Sequence, residues 1–539
     1  MHTEPDEQRN FDKLYIQHPR RWVLAILVAY LLLATNFALS TPPWQAPDEP
    51  AHYNYVAYLA TRAELPVLQM GDYDQSVLSL LHLTRFGIDT LLPQLRYESY
   101  QPPLFYLVAT PVYWATGGSL WALRLFNVLL GAGVIALLYR CLELVFPGKA
   151  LITVSATAFV AFLPMHVAVS AAVNNDIIAE LLVVASLLVL LVWMRRHFQP
   201  PAGELPTGRL LLLWLGVLLG LGLLTKVYAY ALLPICLVTI IAVEVRRAAV
   251  PFWQGVQTAL WALLPALVLG LPWWVRNWLV YGPWDLLGTA WHDQVVVGQP
   301  RTVEWIADKG WDHYLERAIT VTFRSFWGVF GWLGVFMDER IYTALLLFSG
   351  VIFLGVLWAL VRLISGGPDM DMDDFQLWVL GLFALIVVAV VASYVWYNLK
   401  FVQHQGRYFF WGLLPLSTFV ALGWREVLRP LQGLITALLT GVMAFSIGLI
   451  GYTTGNMDKW TVATALALAL FLLCQPLLLA GAQAESGYGI RAFRRLGQIR
   501  WLVQVGALLR PVAWAMPFLL LAWLDLLIPV LFILPQLGS

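Results

Sequence analysis

Charge is scarce in this chain and cysteine scarcer: 12% of its 539 residues are Asp, Glu, Lys or Arg, and three are Cys. Cys141, Cys236 and Cys474 sit singly in apolar runs with no CxxC or His/Cys spacing. That pattern argues against a disulfide framework and against a structural zinc site. The 33 basic and 32 acidic residues nearly cancel, so no global field draws in nucleic acid. No internal repeat of convincing similarity is evident, which leaves room only for a diverged inverted repeat. There is no HExxH, and His292 and His313 carry no metal-ligand spacing. The run PDMDMDD at 368 to 374 begins like a calcium loop, but Asp374 stands where the turn glycine belongs and no Glu closes it. It reads as a solvated loop. The N-terminal stretch has Glu4, Asp6 and Glu7, then Pro19-Arg20-Arg21, with no short apolar core and small-residue cleavage site. It reads as the lead into a retained first helix.

What the chain has in abundance is apolar length. Apolar residues make up 60% and mean hydropathy is +0.72, the composition of an integral membrane protein. About 20 apolar residues cross the hydrocarbon core as a helix. Runs near 22–40, 121–145, 150–172, 177–193, 210–224, 228–243, 258–275, 341–361, 377–397, 408–423, 431–452, 460–480 and 511–535 fit. The expected fold is therefore all-α and polytopic, with about thirteen spans. PPLFYLVATPVYWATGG at 102–118 is apolar but short and proline-rich, and is expected to lie at the interface.

Basic residues set the threading. With 102–118 not spanning, Arg20 and Arg21, Arg140 with Lys149, Arg195 with Arg196, Arg246 with Arg247, Arg362, Arg425 with Arg429 and the 491–500 cluster all fall on the cytoplasmic side. Residues 41–120 and 276–340 become two long outer segments. The same threading gathers the polar motifs PDE (47–49), ESYQPP (98–103), NND (174–176), TK (225–226), RN (276–277) and QGRY (405–408) on the outer face. Long segments of this kind usually carry function.

Asp48 and Glu49 lie between Pro47 and Pro50, a bend that stops a helix and presents both carboxylates. A solvated cap is the plain reading of such a pair. A proton acceptor for a hydroxyl, or a ligand for a divalent cation such as Mg or Mn, is the functional one. Glu98 and Gln101 precede a second proline bend, and Asn175 and Asp176 open a helix that either could cap. Glu98, Asn175 and Asp176 are the further acceptor-side or metal candidates. Lys226 and Arg276 interrupt apolar runs, where an isolated cation costs ~3 kcal/mol, so each needs a partner, water or a route to the interface. Arg407 adds a third cation on that face. An Arg fork and a Lys point charge together suit a phosphate.

The ordered set PDE, QPPLFY, NND, GLLTK (222–226), PWWVRN (272–277) and QGRY resembles the GT-C superfamily of polyprenyl-phosphate-sugar glycosyltransferases. Within it, the set is similar to bacterial relatives of the protein O-mannosyltransferases and lipid A aminoarabinose transferases. The resemblance covers residues 20–425. It implies a GT-C-like transmembrane core over 1–425, interfacial helices on the outer face, and further transmembrane helices over 426–539. It implies Asp48 as base or metal ligand with Glu49 beside it, Asp176 as a second acid, and Lys226, Arg276 and Arg407 facing phosphate with Gln101. Gln101 departs from the His or Lys that many relatives keep before the prolines.

The expected function is transfer of a sugar from a polyprenyl-phosphate donor to a glycan, lipid or protein hydroxyl. It would take place at the outer face of a bacterial cytoplasmic membrane, with inversion. The other reading is a lipid-linked glycan transporter, whose site would sit nearer the bilayer midplane.

Overall fold

The computed structural model describes residues 11–200, 208–365, 372–482 and 495–538. Residues 4, 6 and 7, most of the PDMDMDD run and part of the 491–500 basic cluster lie outside them. Helix α1 (Pro19–Ser40) starts on a proline, whose missing N–H is no loss in a first turn, and is followed by α2 (Glu49–Arg62), α3 (Gln75–Leu83) and α4 (Leu104–Thr116). Next come α5 (Leu120–Val145), α6 (Ala150–Ala161), α7 (Pro164–Ser170), α8 (Asp176–Phe198), α9 (Arg209–Leu223), α10 (Ala229–Arg247) and α11 (Phe252–Tyr281). The 276–340 segment is not an open loop. It folds as α12 (Thr289–Val295), α13 (Thr302–Trp327) and a two-stranded antiparallel ribbon, β1 (Val329–Phe330) on β2 (Val335–Phe336). Then follow α14 (Glu339–Ser365), α15 (Asp374–Asn398), α16 (Leu413–Val427), α17 (Pro430–Thr454), α18 (Lys459–Leu478) and α19 (Arg500–Leu537).

Among the described residues ten helices are long and apolar enough to cross a membrane, not thirteen: α1, α5, α8, α10, α11, α14, α15, α17, α18 and α19. The other three runs are helical but fail as single spans, for visible reasons. The 150–172 run is broken into α6 and α7, bent by 59°. The 210–224 run is the 15-residue α9, and the 408–423 run is a 3-10 turn, Gly406–Gly412, leading into the 15-residue α16. The 102–118 run forms the 13-residue α4, with Pro111 inside it, too short to cross.

Pro164 makes the α6–α7 break: it has no N–H to donate to the Val160 carbonyl one turn back. His166 Nδ1 meets that carbonyl at 3.1 Å, and its Nε2 lies 3.1 Å from Glu180 Oε2 on α8. All twelve residues of α6 are buried, against α1, α5 and α16. Where α14 crosses α16, a Cβ on Gly355 would stand 2.1 Å from the Gly423 carbonyl, so glycine there sets the helix spacing.

The polar residues sort to two ends of the helix bundle. At one, Asp12 accepts from Arg425 and from the Leu151 N–H, Arg429 pairs with Glu426, Arg195 reaches the Leu144 carbonyl, and Arg247 pairs with Asp374. Asp374 stands there in the first turn of α15, behind a capping box of Asp373 and Gln376. These are the segments that the basic-residue pattern groups together. At the opposite end, α1 hands over to α2, α7 to α8 and α9 to α10, and the site forms there.

Candidate functional site

The PDE bend folds as the start of α2. Asp48 occupies the N-cap position, yet its side chain makes no capping hydrogen bond, and its backbone is left-handed at φ 65°. Outside glycine that conformation is uncommon and is held by its surroundings. Here the hold is on the carboxylate: Arg407 Nη2 donates to Oδ2 at 2.7 Å and Tyr97 OH to Oδ1 at 3.0 Å. Burial alone would push this carboxyl up. The Arg407 guanidinium, by its charge and its hydrogen bond and aided by the Tyr97 hydroxyl, holds it below the usual carboxylate range.

Glu49, one residue on, points into the bundle and is fully buried. Arg124 of α5 grips it at 2.6 and 2.8 Å, and its oxygens also accept from the Trp44 and Val173 N–H groups, both at 3.1 Å. Arg124 further donates to the carbonyls of Ala38, Thr41 and Pro42. The pair ties α1, α2, α5 and the α7–α8 link into one corner. Since both Glu49 oxygens are taken, the adjacent acids do not converge on a shared cation. No cluster of three His, Cys, Asp or Glu suited to a metal exists among the described residues.

Asp176, the first residue of α8, faces Lys226, whose Nζ donates to Oδ1 at 2.5 Å; the two side chains are 23% and 22% exposed. Neither expected cap forms here: Asn174 Oδ1, not Asn175, accepts from the Asp176 N–H. Asn175 is buried and donates from Nδ2 to the Thr225 carbonyl at 3.1 Å and to Gln101 Oε1 at 3.4 Å. Gln101 donates in turn to Tyr100 OH at 3.1 Å. Glu98 sits on the 3-10 turn Tyr97–Tyr100, nine-tenths buried, and its Oε2 has no partner. Burial and the Asp48 charge push its carboxyl up to about 7, against the opposing pull of Lys226 and Arg407. His52 stacks on Tyr106 with Nδ1 2.9 Å from the Tyr106 hydroxyl; burial and the Lys226 charge push it down to about 3, so it stays neutral.

QGRY aims the arginine. A Cβ on Gly406 would stand 2.2 Å from the Phe326 nitrogen, and the Gly406 N–H donates to Ser325 Oγ at 2.8 Å. Only glycine lets this strand of chain lie against α13 so closely. The Arg407 Nε is buried without a partner. Two ion pairs from four chain segments thus stand beside an acid with no ion-pair partner: Glu98 senses Asp48, Lys226 and Arg407, and Asp176 senses Lys226 and Arg407.

Arg276 is not among the charges that act on Asp48, Glu98 or Asp176. It lies between the rings of Trp273 and Tyr281, at 4.8 and 5.2 Å, and donates to the Pro66 carbonyl and to Asn277. Together with Tyr281 OH and Trp291 Nε1, which bond Leu68, it straps residues 66–68 to the end of α11. Sequence reasoning passed over Tyr97, although it adjoins Glu98, and Arg124. A cation inside the apolar run LWALRLFN needs a buried partner, and that was the available signal.

Residues 92–281 match the family described as dolichyl-phosphate-mannose-protein mannosyltransferase. A family of glycosyl-transferring enzymes thus matches the stretch with Glu98, Asp176, Lys226 and Arg276, which bears out the resemblance drawn from the motifs. Two structures of ArnT from Cupriavidus metallidurans, bound to undecaprenyl phosphate and apo, are 14% and 16% identical over 94% of this chain, with 77% and 76% of theirs covered, each at TM-score 0.49. The Archaeoglobus fulgidus oligosaccharyltransferase tethered with an acceptor peptide containing the NVT sequon is 14% identical over 87% of this chain and 55% of its own, at TM-score 0.46. No curated protein matches the chain in sequence.

Proposed function

We propose that this protein transfers a sugar from a polyprenyl-phosphate donor to an acceptor hydroxyl at the outer surface of a bacterial cytoplasmic membrane. The observation that carries the reading is the gathering of Asp48, Glu98, Asp176, Lys226 and Arg407 at one end of the bundle. That arrangement puts two cations fit for phosphate beside acids fit for a hydroxyl proton. The match to a family named for a dolichyl-phosphate-mannose donor supports the donor class. The arginine-rich opposite end supports the orientation, because cytoplasmic ends are enriched in Lys and Arg. The chemistry rests on residues 1–425, with α17 to α19 as lateral support.

On this reading the donor phosphate binds Lys226 and Arg407, competing with Asp48 for the guanidinium. Asp48, so released, regains basicity and takes the acceptor hydroxyl proton. The acceptor oxygen attacks the anomeric carbon from the face opposite the phosphate, and the bond from that carbon to the phosphate oxygen breaks. Its electron pair leaves on polyprenyl phosphate, whose charge the two cations stabilise. One displacement gives inversion. Glu49, held by Arg124, acts by fixing the backbone of Asp48 and does not touch substrate.

The test is incubation of purified protein with radiolabelled polyprenyl-phosphate sugars and membrane extract. Release of polyprenyl phosphate with label passing to an acceptor supports transfer. Label that crosses a vesicle bilayer still attached to its lipid would make the protein a transporter and end this reading.

A further inference from the structure

We infer that Glu98 and Asn175, on either side of Gln101, form the subsite that holds hydroxyl groups of the donor's sugar ring. The inference rests on the transferase reading and gives the site an inside arrangement: phosphate toward Arg407 and Lys226, sugar toward Glu98.

Buried polar atoms in folded proteins nearly always have partners, and one left open inside a candidate site marks where a ligand or water completes it. Three stand open here: Glu98 Oε2, Asn175 Oδ1 and Arg407 Nε. Their chemistry differs. The Arg407 atom is a donor, which suits phosphate oxygen. Asn175 Oδ1 is fixed as an acceptor, because Nδ2 already donates to the Thr225 carbonyl and Gln101 Oε1. A phosphodiester has no hydrogen to give, so it cannot satisfy Asn175 Oδ1; a sugar hydroxyl can. Glu98 Oε2 accepts when ionised and can also donate when protonated, the two roles a hydroxyl complements.

Geometry joins the acids' side of the site. The Gln101 side chain hydrogen-bonds the Glu98 carboxyl, and its Oε1 accepts from Asn175 Nδ2, so the two residues flank one side chain. Gln101 is 6% exposed and anchored by Tyr100. It therefore sets the spacing of the pair and is a positioning residue, not the phosphate ligand expected from its place before the prolines. Asp48 and Asp176 each already face a cation, which leaves Glu98 as the acid without an ion-pair partner in the group. Its carboxyl, pushed up by burial to about 7, holds a proton far more readily than an ordinary carboxylate, which suits a neutral sugar hydroxyl better than a cationic group.

Binding to the purified full-length protein tests this without any need for turnover. The probes are undecaprenyl phosphate, mannosyl undecaprenyl phosphate, its four monodeoxy analogues, and a 4-aminopentosyl undecaprenyl phosphate. The mannosyl lipid should bind about tenfold or more tighter than the bare lipid, and at least one deoxy analogue should lose most of that gain, since unpaired site groups penalise a missing hydroxyl. Glu98→Ala should shrink the gap to within about threefold, and Glu98→Gln, which keeps a donor and an acceptor, should restore much of it. Equal binding of bare and mannosyl lipids, with every deoxy analogue unchanged, would assign these atoms to water and overturn the proposal. Preference for the aminopentosyl lipid would overturn it in favour of an ionised carboxylate holding an ammonium. If Glu98→Ala disturbs the fold, the deoxy series on the unaltered protein still decides. Binding of none of the lipids, bare undecaprenyl phosphate included, would remove the donor reading itself.

Discussion

Asp48 and Arg407 are 359 residues apart in the chain and 2.7 Å apart in the folded protein. The proposed base and the proposed phosphate ligand are therefore each other's counter-ion before substrate arrives. Asp48→Asn keeps volume, removes the proton acceptor and leaves the guanidinium free. We expect turnover to fall by ~100-fold or more while undecaprenyl phosphate binds as well as before or better. Single-turnover rates and equilibrium binding measure the two. Unchanged turnover in folded protein would send the search for the base to Glu98 or Asp176.

Arg407→Lys keeps the charge but loses the planar fork, so donor affinity should fall nearly as far as in Arg407→Ala. Arg276→Lys should differ in kind. It loosens the Pro66 strap, so proteolysis near residues 63–74 should quicken while donor affinity changes less than with Arg407→Lys. Equal affinity losses at both positions would restore Arg276 to the phosphate site.

Glu49 and Arg124 form a fully buried pair with every contact filled, and removal of one partner strands the other's charge. Glu49→Gln or Arg124→Leu should destabilise the protein by ~3–5 kcal/mol. Thermal unfolding in detergent, compared with turnover per folded molecule, checks this. Normal unfolding with lost turnover would make Glu49 part of the chemistry after all.

Glu98 gives stability a pH dependence of defined sign. Its folded pKa, about 7, lies above the ordinary carboxylate value. Between those values the native state binds more proton than the unfolded state, so stability falls as pH rises through the window and the penalty is complete above it. Melting temperature from pH 4.5 to 7.5 should decline more steeply for the native sequence than for Glu98→Gln. Parallel curves would show that Glu98 ionises freely. Asp48 acts oppositely: its lowered carboxyl adds stability that persists down to acidity below the usual carboxylate range.

For topology, single cysteines at Gly71 and Ser365, in a background lacking Cys141, Cys236 and Cys474, should label from opposite sides with an impermeant reagent. Labelling of both from one side would end the threading.

The helices were legible because hydropathy is a sum over ~20 residues and tolerates local error. Hydropathy passes over the break at Pro164 and gives α9 and α16 the look of spans, because run length alone does not say where a helix stops. The charged ends were legible from Arg and Lys positions. Partner choice was not. That Asp48 meets Arg407 while Glu49 meets Arg124 depends on the turn at Ala46–Asp48, which sends two adjacent carboxylates in opposite directions. Arg276 and Arg407 look alike in sequence, each an Arg among aromatics, and only the packing of residues 66–68 separates them.

The proline break in the bundle settles a question of electrical balance. A carbonyl can only accept, so the Val160 oxygen obliges His166 Nδ1 to carry hydrogen. The ring's other nitrogen then faces Glu180 Oε2 across 3.1 Å, and that contact is a hydrogen bond only if a single proton lies between them. Whether it rests on nitrogen or oxygen, imidazole and carboxyl together carry no net charge. A missing backbone hydrogen at Pro164 is thus answered by a side-chain couple that is neutral as a unit, which lets two ionisable groups stay among the buried helices without bringing a net charge into hydrocarbon.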